Sequence, residues 1–86
     1  MLDGKKIGRF IAEKRRENGM TQQSLADRLS VSFQAVSKWE NGTAYPNVEL
    51  LYDLAEALAV SVDELLMGRE QAKEGTSYSQ AGVDIA

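Results

Sequence analysis

The chain has 86 residues, enough for one small domain, and its 43% hydrophobic and 27% charged residues are an ordinary balance for a globular protein. It contains no Cys and no His, which excludes disulfides, thiolate nucleophiles and the commonest general base and metal ligand. The formal net charge of −3, taken as a total, argues against nucleic acid, whose affinity comes largely from cations placed on phosphates.

The spacing of apolar residues predicts five short helices and no strand. The first helix is expected from about Gly4 to Asn18, and Gly19 ends it. The second and third helices begin at the caps Thr21 and Ser32. The residues expected to pack inward from these three helices are apolar or small and recur about one turn apart: Ile7, Phe10, Ile11, Leu25, Ala26, Leu29, Val36 and Trp39.

The last two helices follow the only proline, Pro46. The fourth helix is expected at about 47–58 and the fifth begins with a capping box formed by Ser61 and Glu64. Their predicted inward residues are Leu51, Leu54, Ala55, Leu58, Val62, Leu65 and Leu66. Three further apolar residues lie off this stripe and are either a second patch suited to dimer contact or peripheral core: Leu50, Tyr52 and Met67.

The composition changes after Gly68. We expect one domain at 4–68 and a linker or tail at 69–86, because the tail is small and polar and has no apolar period. No stretch is apolar enough for a membrane span or a signal peptide, so we expect no membrane partner and a cytoplasmic, nucleoid-associated location.

The charge is unevenly distributed along the chain. Residues 1–22 carry six cations and three anions, residues 23–46 are neutral overall, and residues 47–86 carry two cations and eight anions. A partner feels the local field, since salt screens charges beyond about 8–10 Å. The first part of the chain could therefore meet a polyanion, although two solvated charged faces would give the same pattern.

The outer face of the third helix carries hydrogen-bonding groups, one cation and no acid. Such a surface suits the major groove of DNA, where side chains donate to and accept from base edges. An exposed Phe33 at the helix start is a base contact, a staple onto a neighbouring helix or a dimer contact, and Lys38 is a DNA contact or a solvated lysine. The residues of this face are Ser32, Phe33, Gln34, Ser37, Lys38 and Asn41.

Residues 5–68 resemble the Cro/phage-repressor type of helix-turn-helix domain, the xenobiotic-response-element (XRE) family of bacterial regulators. The resemblance implies an all-α, five-helix lambda-repressor-like domain of a bacterial or phage transcriptional regulator. It also implies a recognition helix at 32–41 in the major groove of double-stranded DNA, and a homodimer on an inverted-repeat operator. The matching residues are Thr21-Gln22, Leu25-Ala26, Val31-Ser32, Val36 to Gly42, Pro46, Leu58 and Val60 to Leu66.

The resemblance also implies roles for single residues. Gln22 would bind a phosphate at the start of the second helix, and Arg15 would form a structural salt bridge with Glu40. The expected base contacts are Ser32, Phe33, Gln34, Ser37 and Lys38. The expected DNA backbone contacts are Gln22, Asn41, Thr43, Tyr45, Asn47 and Arg16.

Two positions depart from the family pattern. Ser30 occupies the turn position where the family usually has Gly, and a left-handed conformation there costs another residue roughly 1 kcal/mol. Lys14 stands where many relatives carry Leu, and its aliphatic stem is expected at the edge of the core.

Two other functions are compatible with the same sequence. The same fold can serve as a protein-interaction module, such as half of an antitoxin or a regulatory appendage, which the acidic C-terminal half favours. Residues 76–86 resemble the opening of phosphoribosylformylglycinamidine cyclo-ligase, which would make this chain the N-terminal module of a longer purine-synthesis enzyme. The chain itself is expected to be neither an enzyme nor a metal or cofactor binder, because it lacks His, Cys and a phosphate loop.

Overall fold

The computed structural model describes residues 1–71, which form five helices joined by short turns and contain no strand. The helices are α1 Gly4–Glu17, α2 Gln22–Leu29, α3 Phe33–Asn41, α4 Val48–Leu58 and α5 Val62–Met67. The predicted all-α, five-helix fold is therefore confirmed, with helix ends displaced by one residue at most. The segment that resembles the cyclo-ligase, 76–86, lies outside the described residues.

Each of the five helices begins at a side chain that accepts a backbone N–H and so satisfies an orphan donor of the first turn. The Thr21 cap of α2 and the Ser61 cap of α5 are completed into capping boxes by the side chains of Ser24 and Glu64. The box at Ser61 confirms the prediction, whereas the box at Thr21 was missed because Ser replaces the usual Glu or Gln. The five caps are Asp3, Thr21, Ser32, Asn47 and Ser61.

The core lies between the five helices. Helix α1 packs against α3, α4 and α5, and α2 packs against α3 and α4. Ile11, Leu25 and Val36, one from each of the first three helices, are completely buried. Ala26 is also completely buried, as expected for the residue that lets α2 and α3 approach closely. In the described part of the chain, no helix is long and apolar enough to span a membrane.

Two turns adopt the left-handed backbone conformation without glycine. Ser30, which ends α2, has φ 59° and ψ 40°, so the expected strain at this position is present. Ala59, which ends α4, has φ 61° and ψ 40°. The second strained turn was not predicted, because Ala is a good helix former and gives no signal for a helix end.

The expected second apolar patch has a different composition. Leu50 packs against the core, and Leu51, predicted to be buried, is half-buried. Tyr52 is exposed as expected, but Met67 is half-buried at the end of α5. Within residues 1–71, the large apolar residues that remain exposed, apart from Met1, are Leu2, Phe33, Tyr45, Val48 and Tyr52.

Candidate nucleic-acid interface

The position of α3 is set by its close approach to α1. A Cβ added at Gly8 would lie 2.6 Å from the carbonyl oxygen of Glu40 and closer still to that of Trp39, so only glycine fits between the two helices. Trp39 is 4% exposed and packs with Ile7 and Phe10 in the core. This packing holds one side of α3 against α1 and leaves the other side facing outward.

An ion pair ties the two helices together beside that contact. The Arg15 guanidinium donates from Nε to Glu40 Oε2 at 2.7 Å and from Nη2 to Glu40 Oε1 at 3.0 Å. Its Nη1 donates to the carbonyl oxygen of Met20 at 2.9 Å, which fixes the chain just before α2. The hydrogen bonds to Glu40 raise the pKa of Arg15, so this cation does not titrate. Arg15 and Glu40 therefore brace α1, α3 and the turn before α2.

Gln22 joins the same group from the first turn of α2. Its Nε2 donates to Glu40 Oε1 at 2.9 Å, so Glu40 receives hydrogen bonds from both α1 and α2. The residue is half-buried. The expected phosphate contact of Gln22 would thus be made by a side chain that is already held on one side.

A polar cleft of about 530 Å³ lies between α1, the start of α2 and α3. It brings together three of the residues expected at the DNA backbone, Arg16, Gln22 and Asn41. Ser37, expected at bases, lines the same cleft, because it shares one helix face with Glu40 and Asn41. The cleft wall is completed by Arg9, Ala12 and Glu13.

The exposed side of α3 offers two long polar side chains. Gln34 and Lys38 are exposed, and within residues 1–71 neither side chain makes a hydrogen bond or an ion pair. Phe33 is 44% exposed at the start of the helix. The Ser32 hydroxyl accepts the N–H of Ala35 at 3.1 Å as the helix cap, and its proton is left for another acceptor.

The residues expected to contact the DNA backbone from the end of α3 and the following loop lie in two different places. The side-chain Oδ1 of Asn41 accepts from both the backbone N–H and the hydroxyl of Thr43, at 3.0 and 2.7 Å, so these two residues stay together. Tyr45 instead lines an apolar groove that includes Pro46. Asn47 caps α4, its side-chain oxygen accepting from Leu50 at 3.1 Å. The structure therefore does not bring Tyr45 and Asn47 into the cleft with Gln22.

Not all the cations of the first helix are available to a polyanion. Lys14, whose side chain is 9% exposed, forms ion pairs with Glu17 and Glu70. Its hydrogen bonds to these carboxylates raise the pKa of its ammonium, and its stem lies against the core as expected. With Arg15 bound to Glu40, the side chains of Lys5, Lys6, Arg9 and Arg16 remain without an ion pair in the described part of the chain.

Within residues 1–71, no three Asp or Glu side chains lie close enough together to hold a metal ion.

The chain is similar in sequence to known proteins. A helix-turn-helix family model matches residues 11–65. The chain belongs to the helix-turn-helix family. The transcriptional activator BcrR of Enterococcus faecalis is 43% identical over 60 residues, and the match covers 70% of this chain but only 29% of that protein. The transcriptional regulator y4dJ of Sinorhizobium fredii is 40% identical over 72 residues, which are 84% of this chain and 94% of that one.

A solved structure extends the comparison to the fold. The P22 c2 repressor, in complex with a synthetic operator, superposes with a TM-score of 0.69 at 37% identity, covering 72% of this chain and 94% of that chain. The resemblance to the XRE family is therefore confirmed. The function of this helix-turn-helix domain is DNA binding in transcription regulation.

Sequence reasoning missed two features of the helix-turn-helix surface. The hydrogen bond from Gln22 to Glu40 joins residues 18 apart in sequence, and no local pattern signals it. The groove at Tyr45 was also missed, although Val48 gives a signal. It is an apolar residue in the first turn of α4 that lies outside the predicted inward stripe, and it is 82% exposed.

Proposed function

We propose that this domain binds a specific sequence in double-stranded DNA, with the outer face of α3 in the major groove. The single observation that carries the proposal is the exposed pair Gln34 and Lys38, whose side chains have no partner within residues 1–71. Gln can pair bidentately with adenine, and Lys can donate to O6 and N7 of guanine. Phe33 would contact a thymine methyl group, and the Ser32 and Ser37 hydroxyls would contact either base edges or the adjacent backbone.

The polar cleft supports a backbone contact beside α3. Arg16, Gln22 and Asn41 line it, and Arg9 adds a second guanidinium that forms no ion pair within residues 1–71. Donors of this kind position a protein on the duplex without reading its sequence. Thr43 would contribute through the same segment, whereas contacts from Tyr45 and Asn47 would require the loop before α4 to lie against the backbone as well.

We further infer that two copies bind together on an inverted repeat. The apolar groove, of about 220 Å³, opens at the loop between α3 and α4 and is lined by Leu2, Tyr45, Pro46, Val48 and four further apolar residues. Leu2, Tyr45 and Val48 are 50%, 52% and 82% exposed. Such an exposed apolar surface suits contact with a second copy, and a dimer formed through it would place its two recognition helices in successive major grooves.

The protein would act in the cytoplasm, on the DNA of the nucleoid.

Selection of binding sites from a random DNA pool tests the proposal. We expect an enriched inverted repeat whose half-sites are about 10 base pairs apart, centre to centre. Binding to the selected site should weaken steeply as salt rises, because contacts to phosphates release counterions. A pool without any enriched motif at low salt would contradict sequence-specific binding and would favour a protein partner.

A further inference from the structure

We propose that Glu40 is a positioning residue for the DNA backbone contact of Gln22, in addition to its ion pair with Arg15. The inference rests on the proposed DNA binding. Its basis is the arrangement of three side chains from three helices: Arg15 on α1, Gln22 on α2 and Glu40 on α3.

The chemistry of the carboxylate decides which end of the Gln22 amide faces it. An ionised Glu40 can only accept hydrogen bonds, so the amide must present Nε2 to it and not its carbonyl oxygen. The Nε2–Oε1 distance is 2.9 Å. The amide nitrogen carries two protons, and one remains for a further acceptor. Glu40 therefore fixes the donor end of Gln22 in the wall of the cleft.

The negative charge of Glu40 would ordinarily oppose a phosphate nearby. Here the Arg15 guanidinium donates to both of its carboxylate oxygens, at 2.7 and 3.0 Å, so the pair carries no net charge. Glu40 is accordingly able to hold an amide close to a phosphate site. Arg16, which has no ion pair in the described part of the chain, lines the same cleft and adds a positive charge there.

The neighbouring glutamine provides a matched control. Gln23 Nε2 donates to Asp27 Oδ1 at 2.8 Å, so its amide is also held by a carboxylate on its own helix. Gln23 is exposed and does not line the cleft. Replacing it removes the same chemical group from the same helix, and DNA binding should stay within twofold of the wild-type protein.

A double-mutant cycle on the selected DNA site tests the coupling. Gln22→Met removes the donor at nearly constant volume, and we expect it to weaken binding about tenfold, as a lost hydrogen bond to a charged group implies. In the Glu40→Met background the same replacement should cost less than twofold, because residue 40 then offers no oxygen acceptor to the amide. Gln23→Met is measured beside it in both backgrounds.

Glu40→Met also leaves Arg15 without a carboxylate, so circular dichroism is used to choose a temperature at which every variant is folded. A second measurement needs no variant of Glu40. In the wild-type protein, the two side-chain amide protons of Gln22 give separate NMR signals, as in any primary amide, and only the proton not bonded to Glu40 should shift strongly when DNA is added.

Three results would overturn the inference. An equal cost of Gln22→Met in both backgrounds would show that Glu40 does not position the amide. If Gln22→Met binds the site as tightly as the wild-type protein does, Gln22 makes no backbone contact, and the proposed function is left intact. A wild-type protein that binds no DNA would overturn both.

Discussion

The face formed by α1 and α3 exposes cations, amides and hydroxyls beside the carboxylate of Glu13 in the cleft wall, whereas the side formed by α4 and α5 exposes apolar and acidic residues. On the first face the acid Glu40 is neutralised by Arg15. On the second, Val48 and Tyr52 are 82% and 70% exposed. The net charge of −3 averages over these two surfaces and describes neither. A partner is therefore predicted by the charge and chemistry of one face, and not by the charge of the whole chain.

The largest effect is expected from a substitution that pushes α1 and α3 apart and so disrupts the first face. Gly8→Ala places a methyl group against the carbonyl oxygens of Trp39 and Glu40, and backbone atoms cannot move aside as a flexible side chain does. We expect a loss of about 3 kcal/mol in the free energy of unfolding, measured by urea denaturation. DNA binding should fall with it, since α3 is displaced.

Gly19→Ala is the matched control for that change. A Cβ at Gly19 meets no atom within 4 Å, and the only cost is its left-handed backbone, with φ +72°. The expected loss is about 1 kcal/mol. Equal losses for the two replacements would contradict the close approach of α1 and α3.

The second prediction distinguishes a direct contact of Lys38 with a base from a general attraction of positive charge to DNA. Lys38→Ala should weaken binding to the selected site by roughly 1–3 kcal/mol and leave the melting temperature unchanged, because its ammonium touches no other group in residues 1–71. Arg69→Ala removes the same charge after α5, at a residue that is neither on α3 nor in the wall of the cleft, and should change affinity only slightly. If the two variants bind alike, Lys38 acts through charge alone.

The third prediction concerns the apolar side. Val48→Asp places a charge at the mouth of the groove and should weaken binding to the inverted repeat about tenfold, with little effect on a single half-site. Sedimentation equilibrium on the DNA complex would give the number of copies bound. Tyr52→Asp adds a charge on the same helix without lining the groove, so a similar loss in that variant would argue against the groove as the contact.

The smallest expected effect is at the turn between α2 and α3. Ser30→Gly should stabilise the domain by up to about 1 kcal/mol, since Ser30 has φ 59° and glycine adopts this conformation without steric cost. Ala59→Gly offers the same test at the end of α4, where φ is 61°. If the midpoints of thermal unfolding of both variants are at or below that of the wild-type protein, the left-handed turns do not strain the fold.

The sequence was sufficient for the fold because its local signals agree with one another. Caps such as Thr21 and Ser61, and apolar residues one turn apart, place each helix to within a residue. It was not sufficient where tertiary packing overrides local preference. Ala59 is left-handed although Ala favours a helix, and Leu50 packs against the core from outside the expected stripe.

The candidate site was predictable only in part, and for a physical reason. Residues on one helix, such as Gln34 and Lys38, can be assigned to one exposed face from their spacing alone. The contact between Gln22 and Glu40 depends on how three helices pack, which spacing within a helix does not determine. The DNA contacts themselves remain predictions, and so does the boundary of the domain at residue 68.

Site selection repeated with Lys38→Ala tests most directly the claim that the outer face of α3 reads DNA. The account predicts the same inverted repeat with its spacing unchanged, but with base preference relaxed at one position in each half-site. A motif identical to that of the wild-type protein, at every position, would contradict it.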